Sequence, residues 1–323
     1  MIMKNTLILL SLTLLSLNCA LGQLSPHPWK LTVKVIDEDG NPVSGADVAV
    51  SYKTTPPPNQ NNEAGPKMGY IKGLTDANGE FGASHTDSSF DLGITVKKNG
   101  YYATHLGHQL YFPGQFDEKT VAANWNPALT LILKEVGHPT PMYAKSITYI
   151  KFPALNQPIG YDLMIGDWVA PYGKGANSDV YFKKDYYEKS ANDYSSKITV
   201  SFADKDDGIQ LVAGSNEELG SDLRSPHEAP KDGYYPELIR ETSAHPGQLT
   251  KLEFDENRIY LIRIRTILDE NGKVKSALYG KIYGDFMQFK YYLNPTPNDR
   301  NIEFDPKHDL VGGLQSLEEV DAP

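Results

Sequence analysis

Four groups of side chains in this sequence have the types and spacing to do chemistry. The first is a basic and aromatic set, Arg263, Arg265, Tyr279, Lys281 and Tyr283, carried by two segments, 259–268 and 273–283, on either side of Asp269-Glu270-Asn271-Gly272. Alternation of apolar and polar residues marks half-buried strands, and Asn-Gly supplies the positive-φ residues of a tight hairpin. On one face Ile262, Ile264 and Leu268 would meet Val274, Leu278 and Ile282. The other face would carry Arg263, Arg265, Lys275, Tyr279, Lys281 and Tyr283. Cations beside phenol rings can hold a carboxylate or sulfate while the rings stack on the apolar face of a sugar. This strip is the predicted ligand-binding site. The competing arrangement pairs its cations with neighbouring acids, or packs the face on the other domain with the Lys and Arg stems buried.

The second group is His105 and His108, three apart and behind Tyr101 and Tyr102. On a strand that spacing turns the two positions to opposite faces, so shared ligation of a metal would suit a helix or turn. Without a metal they are loop or edge histidines beside packing tyrosines. The third group is Asp204-Lys205-Asp206-Asp207-Gly208, as dense in acid as a calcium loop. Its glycine comes one position early for a twelve-residue loop, and Ser215 stands where the bidentate glutamate belongs. Asp37, Asp39, Asp269 and Glu270 sit in glycine-containing turns, where Asp recurs because its side chain caps the turn. The fourth group comprises acid pairs, Asp162 with Asp167 and Glu237 with Glu241. They would serve a glycan hydrolase only if folding set them about 5 to 10 Å apart across a sugar. Gly173-Lys174-Gly175 lacks the spacing of a phosphate-cradling loop, and no Gly-x-Ser-x-Gly turn is present. No residue is assigned a catalytic role, and no cofactor is expected; His105 and His108 are the alternative metal ligands.

The elements that would position these groups are strands. With 323 residues the chain has room for two domains, and 22 Pro and 27 Gly suit many short strands joined by turns. Tyrosine, at 20, favours strands and offers rings with a polar tip. The first domain is read as 28–136, with strands near 31–36, 46–52, 70–75, 81–85, 90–97 and 128–134. Segments 54–66 and 112–126 are read as long loops. Residues 137–141, Gly-His-Pro-Thr-Pro, form the linker, because two prolines and a glycine forbid helix and inner strand. A second β-rich domain runs over 142–310, with 286–293 returning as a third strand beside the hairpin, 213–236 as a loop and 186–193 as a candidate turn of helix. Residues 311–323 are read as a mobile tail.

The first 22 residues read as a secretory signal. Lys4 gives the positive end, 6–17 the apolar stretch, and Ala20-Leu21-Gly22 a cleavage site. The apolar run is too short for a good membrane span, and no later segment is long enough, so no transmembrane segment is expected after cleavage. The sole cysteine, Cys19, lies inside that segment, so the mature chain has no disulfide. The rival reading is a lipoprotein anchored through Cys19, against which Asn18 stands where Gly, Ala or Ser is usual. The expected address is secreted or periplasmic. A net charge of −10 argues against nucleic acid as the main partner, since polyphosphate binding needs basic surface. The absence of an Asn-x-Ser/Thr sequon suits a bacterial source.

Three resemblances follow from these residues. The strand 31–36, the turn Asp37-Glu38-Asp39-Gly40-Asn41-Pro42, the strand 46–52 and the turn Thr75-Asp76-Ala77-Asn78-Gly79-Glu80-Phe81 together resemble carboxypeptidase regulatory-like domains. That resemblance implies a transthyretin-like β-sandwich in an accessory or adhesion role. Residues 100–114 are similar to a segment of intradiol ring-cleavage dioxygenases, which hold non-haem iron with two Tyr and two His. The resemblance would give Tyr101, Tyr102, His105 and His108 that role, although the family's histidines stand one residue apart and its tyrosine-bearing Pro-Gly segment is missing. The second domain resembles an uncharacterised group of secreted bacterial proteins through 166–175, 279–286 and 291–300.

The expected fold class is all-β: a transthyretin-like or Ig-like β-sandwich followed by a second β-rich domain. The expected function is that of an exported, non-enzymatic accessory or binding protein recognising a glycan or an envelope protein. The alternatives are a metal-dependent or glycan-hydrolysing enzyme, and a structural or assembly protein of the cell envelope.

Overall fold

The computed structural model describes residues 27–54, 67–87, 91–109, 128–212, 225–253 and 258–320. The signal segment with Cys19, the loops 55–66 and 112–126 and the first part of 213–236 lie outside the described residues. Every regular element among the described residues is a strand, so the chain is all-β. None of them forms a helix long and apolar enough to cross a membrane.

Among the described residues seven strands build the first sandwich. One sheet has the order β4 (Glu80–Asp87), β1 (His27–Asp37), β7 (Ala128–Leu133); the other runs β3 (Lys67–Leu74), β2 (Asp47–Thr54), β5 (Asp91–Lys97), β6 (Thr104–Gln109). The alternation in β1 places Leu31, Val33 and Val35 inward, each at most 1% exposed, against Val48, Val50, Ile94 and Val96 of the other sheet. Trp29, 1% exposed, closes one end of this core; burying a ring of that size is worth about 2 to 3 kcal/mol. The strand at 104–109 was not legible, because Thr104, His105, Gly107 and His108 break the apolar alternation.

The connecting turns share one device. Asp37, Asp76 and Asp269 each accept backbone N–H bonds from the residues two and four further on, at 2.7 to 3.0 Å. A glycine three positions after each takes a positive φ, 84° at Gly40 and 75° at Gly79 and Gly272. Asp37, Asp76 and Asp269 therefore cap backbone, as the turn sequences suggest.

The second β-rich unit is a larger sandwich of two six-stranded sheets. The first contains β10 (Asp167–Trp168), β9 (Ile159–Asp162), β11 (Val180–Ser190), β12 (Asp193–Ser201), β14 (Glu237–Ala244) and β15 (Lys251–Leu252), in that spatial order. The second runs β13 (Gly208–Leu211), β16 (Ile259–Leu268), β17 (Val274–Gly284), β18 (Phe289–Leu293), β8 (Thr140–Ile147), β19 (Phe304–Asp309). Between them lies an aromatic core in which Tyr161, Trp168, Phe182, Phe286, Phe289 and Tyr291 meet edge-on or tilted at centroid distances of 5.3 to 6.4 Å.

Two sequence expectations are corrected here. Residues 186–193 form the β11–β12 hairpin and not a turn of helix. Residues 311–320 are not a free tail: Ser146 N–H donates to the Glu318 carbonyl at 2.7 Å, Lys145 pairs with the Glu318 carboxylate at 2.8 Å, and Val320 is 4% exposed against Met142, Tyr292 and Phe304.

Candidate functional site: the Arg265 bulge and its pocket

The hairpin forms over the expected segments, with Arg263 opposite Tyr279 and Ile264 opposite Leu278. Beyond Ile264 the register shifts: Ile264 pairs with Leu278, but Ile267 pairs with Ser276, so Arg265 and Thr266 together oppose Ala277. This is a β-bulge, and Arg265 occupies it with a φ of 53°. A non-glycine residue there costs about 1 to 2 kcal/mol, so the surroundings must hold it. Asp207 does so: one carboxylate oxygen accepts the Arg265 N–H at 3.1 Å and the other the Thr266 N–H at 2.8 Å. The stretch that resembled a calcium loop is thus a cap for a bulge. Burial pushes the Asp207 carboxyl above its ordinary value, against the pull of these amides.

The bulge turns the Arg265 side chain out of the predicted strip and toward the opposite sheet. Its Nε meets Asp179 Oδ1 at 2.7 Å and one terminal nitrogen, Nη2, meets Oδ2 at 3.1 Å, the two-point geometry a guanidinium makes with a carboxylate. Asp162 lies 3.8 Å from Nη2. Burial raises the Asp179 carboxyl more than Arg265 lowers it, whereas Asp179 raises Arg265.

Asp162 was weighed as half of an acid pair. Its oxygens accept four backbone N–H bonds, from Met164, Ile165, Ala176 and Asn177, at 3.0 to 3.2 Å. Burial alone would raise its carboxyl; these four donors outweigh burial and hold it below its ordinary value. Asp167 accepts from Trp168 N–H at 2.8 Å and Lys174 N–H at 2.9 Å. Both carboxylates lock the loop 163–177, including Gly173-Lys174-Gly175, and their lone pairs face backbone. Glu241 is paired with Lys251 at 3.0 Å.

What remains open is a pocket of 430 Å³ beside Arg265, lined also by Tyr143, Asp162, Ile165, Asn177 and Leu310. Ile165 and Leu310 are half-exposed on its rim. One edge of the guanidinium is fixed on Asp179, and the group is 33% exposed. The arrangement presents a positioned cation, a phenol ring and an amide to a small polar ligand.

The other members of the predicted strip do not form a surface. Tyr279 is 4% and Lys281 2% exposed. Arg263 stacks on Tyr234 at 5.0 Å and donates to the Asp206 and Lys231 carbonyls. Tyr283 packs with Tyr292 at 5.8 Å. The cover is the coil at 225–235 and the residues around Ile302 and Phe304, so the stems are buried beneath segments of the second domain itself. Val274 also packs with the smaller cluster on this side and not with Leu278.

Lys281 sits at the junction of the two sandwiches. Its Nζ reaches Ser225 Oγ at 3.3 Å and lies 4.8 Å from the Tyr292 ring. Lys134 of the first domain donates to the carbonyl of the same Ser225. Burial, with Lys134 nearby, pushes the Lys281 ammonium down to about 7. Beside it Glu303 accepts from the Tyr102 hydroxyl at 2.7 Å and from the linker amides of Gly137 and His138 at 2.8 and 2.6 Å. Burial would raise the Glu303 carboxyl, but these donors and His227 hold it below its ordinary value.

The proposed iron ligands are not gathered. His105 is on β6 with Nδ1 3.0 Å from Thr95 Oγ1, and the strand puts positions 105 and 108 on opposite faces. Tyr102 is engaged by Glu303, and Tyr101 packs on the first core. The side chain of His108 lies outside the described residues. Among the described residues no three His, Cys, Asp or Glu side chains are grouped to hold a metal ion.

No family model matches the chain, and no curated protein matches it. Among solved structures, similarity is found to 3-chlorocatechol 1,2-dioxygenase from Rhodococcus opacus 1CP, 16% identical with a TM-score of 0.25 over 36% of this chain and 62% of that one. A streptococcal ancillary pilin is 10% identical, with a TM-score of 0.21 over 83% and 59%. A protein from Bacteroides uniformis ATCC 8492 described as carbohydrate-binding is 11% identical, with a TM-score of 0.19 over 84% and 98%. The chain spans about three fifths of the length of the dioxygenases it matches. Likenesses at these scores carry no weight on function.

Proposed function

We propose that this is an exported, non-enzymatic binding protein whose second domain recognises a glycan or another envelope component at the Arg265 pocket, and whose first domain is an accessory module of the carboxypeptidase regulatory-like kind. The observation that carries the reading is Arg265 itself. A bulge position with positive φ is met most cheaply by glycine, yet it holds the longest cationic side chain, fixed by Asp207 and Asp179 at the mouth of a pocket. Strain held in place by its surroundings is a feature of ligand sites, and a pocket of this size accommodates a small ligand. The acids around it are engaged by backbone donors, which fits recognition better than proton transfer. Export rests on the reading of residues 1–22.

Glycan-array binding by the mature chain tests the proposal, with Arg265→Lys and Asn177→Ala as variants. Arg265→Lys keeps the charge but loses the fork, and Asn177 is exposed on the pocket wall. Loss of binding in both, with unchanged unfolding midpoints for Asn177→Ala, is the expected result. Binding that survives both variants removes the site, and no binding to any glycan or envelope fraction removes the function.

A further inference from the structure

A second surface lies on the outward face of the first domain's four-stranded sheet. Its register sets side chains in rows across the strands: one row is Tyr70, Ser51, Gly93 and Gly107, and the next is Lys72, Ala49, Thr95 and His105. Three small residues in succession leave a trough, and two of them are glycines paired across β5 and β6. Glycine inside a strand weakens it and needs a reason. At Gly107 the described residues offer none: its φ is not positive, and a Cβ there would meet none of their atoms within 4 Å. At Gly93 a Cβ would come 2.6 Å from Ser51 Oγ and 3.5 Å from His105 Cε1. The imidazole therefore leans over the floor of the trough, with Nδ1 held 3.0 Å from Thr95 Oγ1.

The floor crosses three strands, about 10 to 15 Å. Tyr70, 58% exposed, closes one end, with Lys72 Nζ 5.4 Å from its ring centre. Alongside, over Ala49, is a hollow of 500 Å³ with Lys72 and Lys97 on its walls and one acid, Asp47. On a chain of net charge −10 this is a local excess of cation.

We propose that this trough binds an acidic polysaccharide. A sugar ring has an apolar C–H face to lie on Tyr70 and on bare backbone, and hydroxyls at its edge for Ser51, Thr95 and His105. Carboxylates or sulfates along the polymer would meet Lys72 and Lys97. An added peptide strand would pair along an edge and use alternating side-chain pockets, whereas this trough runs across the strands. Gly93 makes room for Ser51 and His105, and Gly107 is explained by the approach of a ligand to the backbone.

Affinity electrophoresis of the mature full chain through polygalacturonate, alginate and neutral pullulan tests the proposal. The acidic polymers should retard the protein and pullulan should not, and raising the salt should weaken retardation. Gly107→Val, which fills the trough with a residue strands favour, and Tyr70→Ala should each raise Kd about fivefold or more. Tyr70 is exposed, so that variant keeps the test valid if Gly107→Val fails to fold. The trough variants probe this sheet face and the Arg265 and Asn177 variants the pocket, so the two sites stand or fall separately. Unchanged Kd in both trough variants, equal retardation by pullulan, or no retardation by either acidic polymer overturns the proposal.

Discussion

Replacing Lys281 by methionine should stabilise the protein at neutral pH. The ammonium is 2% exposed and faces Ser225, the rings of Tyr283 and Tyr292, and the neighbouring Lys134, with Glu303 as the nearby acid. Burial is the main cause that brings it from 10.5 to about 7. Between those values the folded protein gives up the proton while the unfolded chain keeps it, so stability rises with pH across that window. At 1.4 kcal/mol per pH unit, the penalty at pH 7 is about 4 kcal/mol, falling to about 1 kcal/mol at pH 10. Methionine keeps the stem, carries no charge in either state, and makes favourable contacts with rings. It loses the bond to Ser225 Oγ and the cation–ring contact, about 1 kcal/mol each. A net gain of about 2 kcal/mol at pH 7 is expected, closing toward zero or reversing slightly at pH 10. Urea unfolding of both proteins at the two pH values measures it, because effects of other titrating groups cancel in the difference. A loss of more than about 1 kcal/mol at pH 7, or a difference indifferent to pH, would refute the reasoning.

Three further substitutions, at two positions, probe the bulge and the junction. Arg265→Ala and Arg265→Gly both leave Asp179 buried without its cation and should cost about 3 to 5 kcal/mol, but the glycine variant should be about 1 kcal/mol the more stable in urea unfolding, because it accepts the positive φ. Equal stabilities would contradict the strained-bulge account. Glu303→Gln should cost about 1 to 3 kcal/mol at pH 7, since an amide cannot accept from Tyr102 and two linker N–H groups together. Because the folded carboxyl is held below 4.5, its contribution is present above that pH and fades as the pH falls through the folded value, so the two proteins should converge in acid. Calorimetry from pH 3 to 7 would show it.

The strands that alternate cleanly were legible in sequence: β1, β2 and the β16–β17 hairpin form where the apolar spacing puts them. The Asp-x-x-Gly turns were legible too, because a short acid and a glycine specify the turn locally. The ligand strip was misplaced for two physical reasons. Alternating Arg, Tyr and Lys on β16 and β17 reads as a wetted face, yet coil segments distant in sequence cover it, and burial by coil leaves no periodic trace. The bulge at Arg265 depends on Asp207, 58 residues earlier, so no local pattern announces it. Asp162 and Asp179 were similarly opaque, since acids that bind backbone amides look in sequence like acids free to react. The one available signal was that Gly-Asp-Trp-Val-Ala-Pro-Tyr-Gly-Lys-Gly is too specific for an unstructured loop; it is the loop those acids hold.

The linker between the two sandwiches was read from its prolines and glycine as a break in regular structure, yet both of its first amides are bonded to Glu303. A swivel at residues 137–139, the part of the expected linker that precedes β8, would break those bonds and uncover Lys281 and Lys134 together. The two halves should accordingly tumble as one body in solution, and expressing residues 142–310 by themselves would remove part of the wall that keeps water from the hairpin. Protein engineers dividing this chain would do better to cut elsewhere, or to carry Tyr102 and Lys134 along.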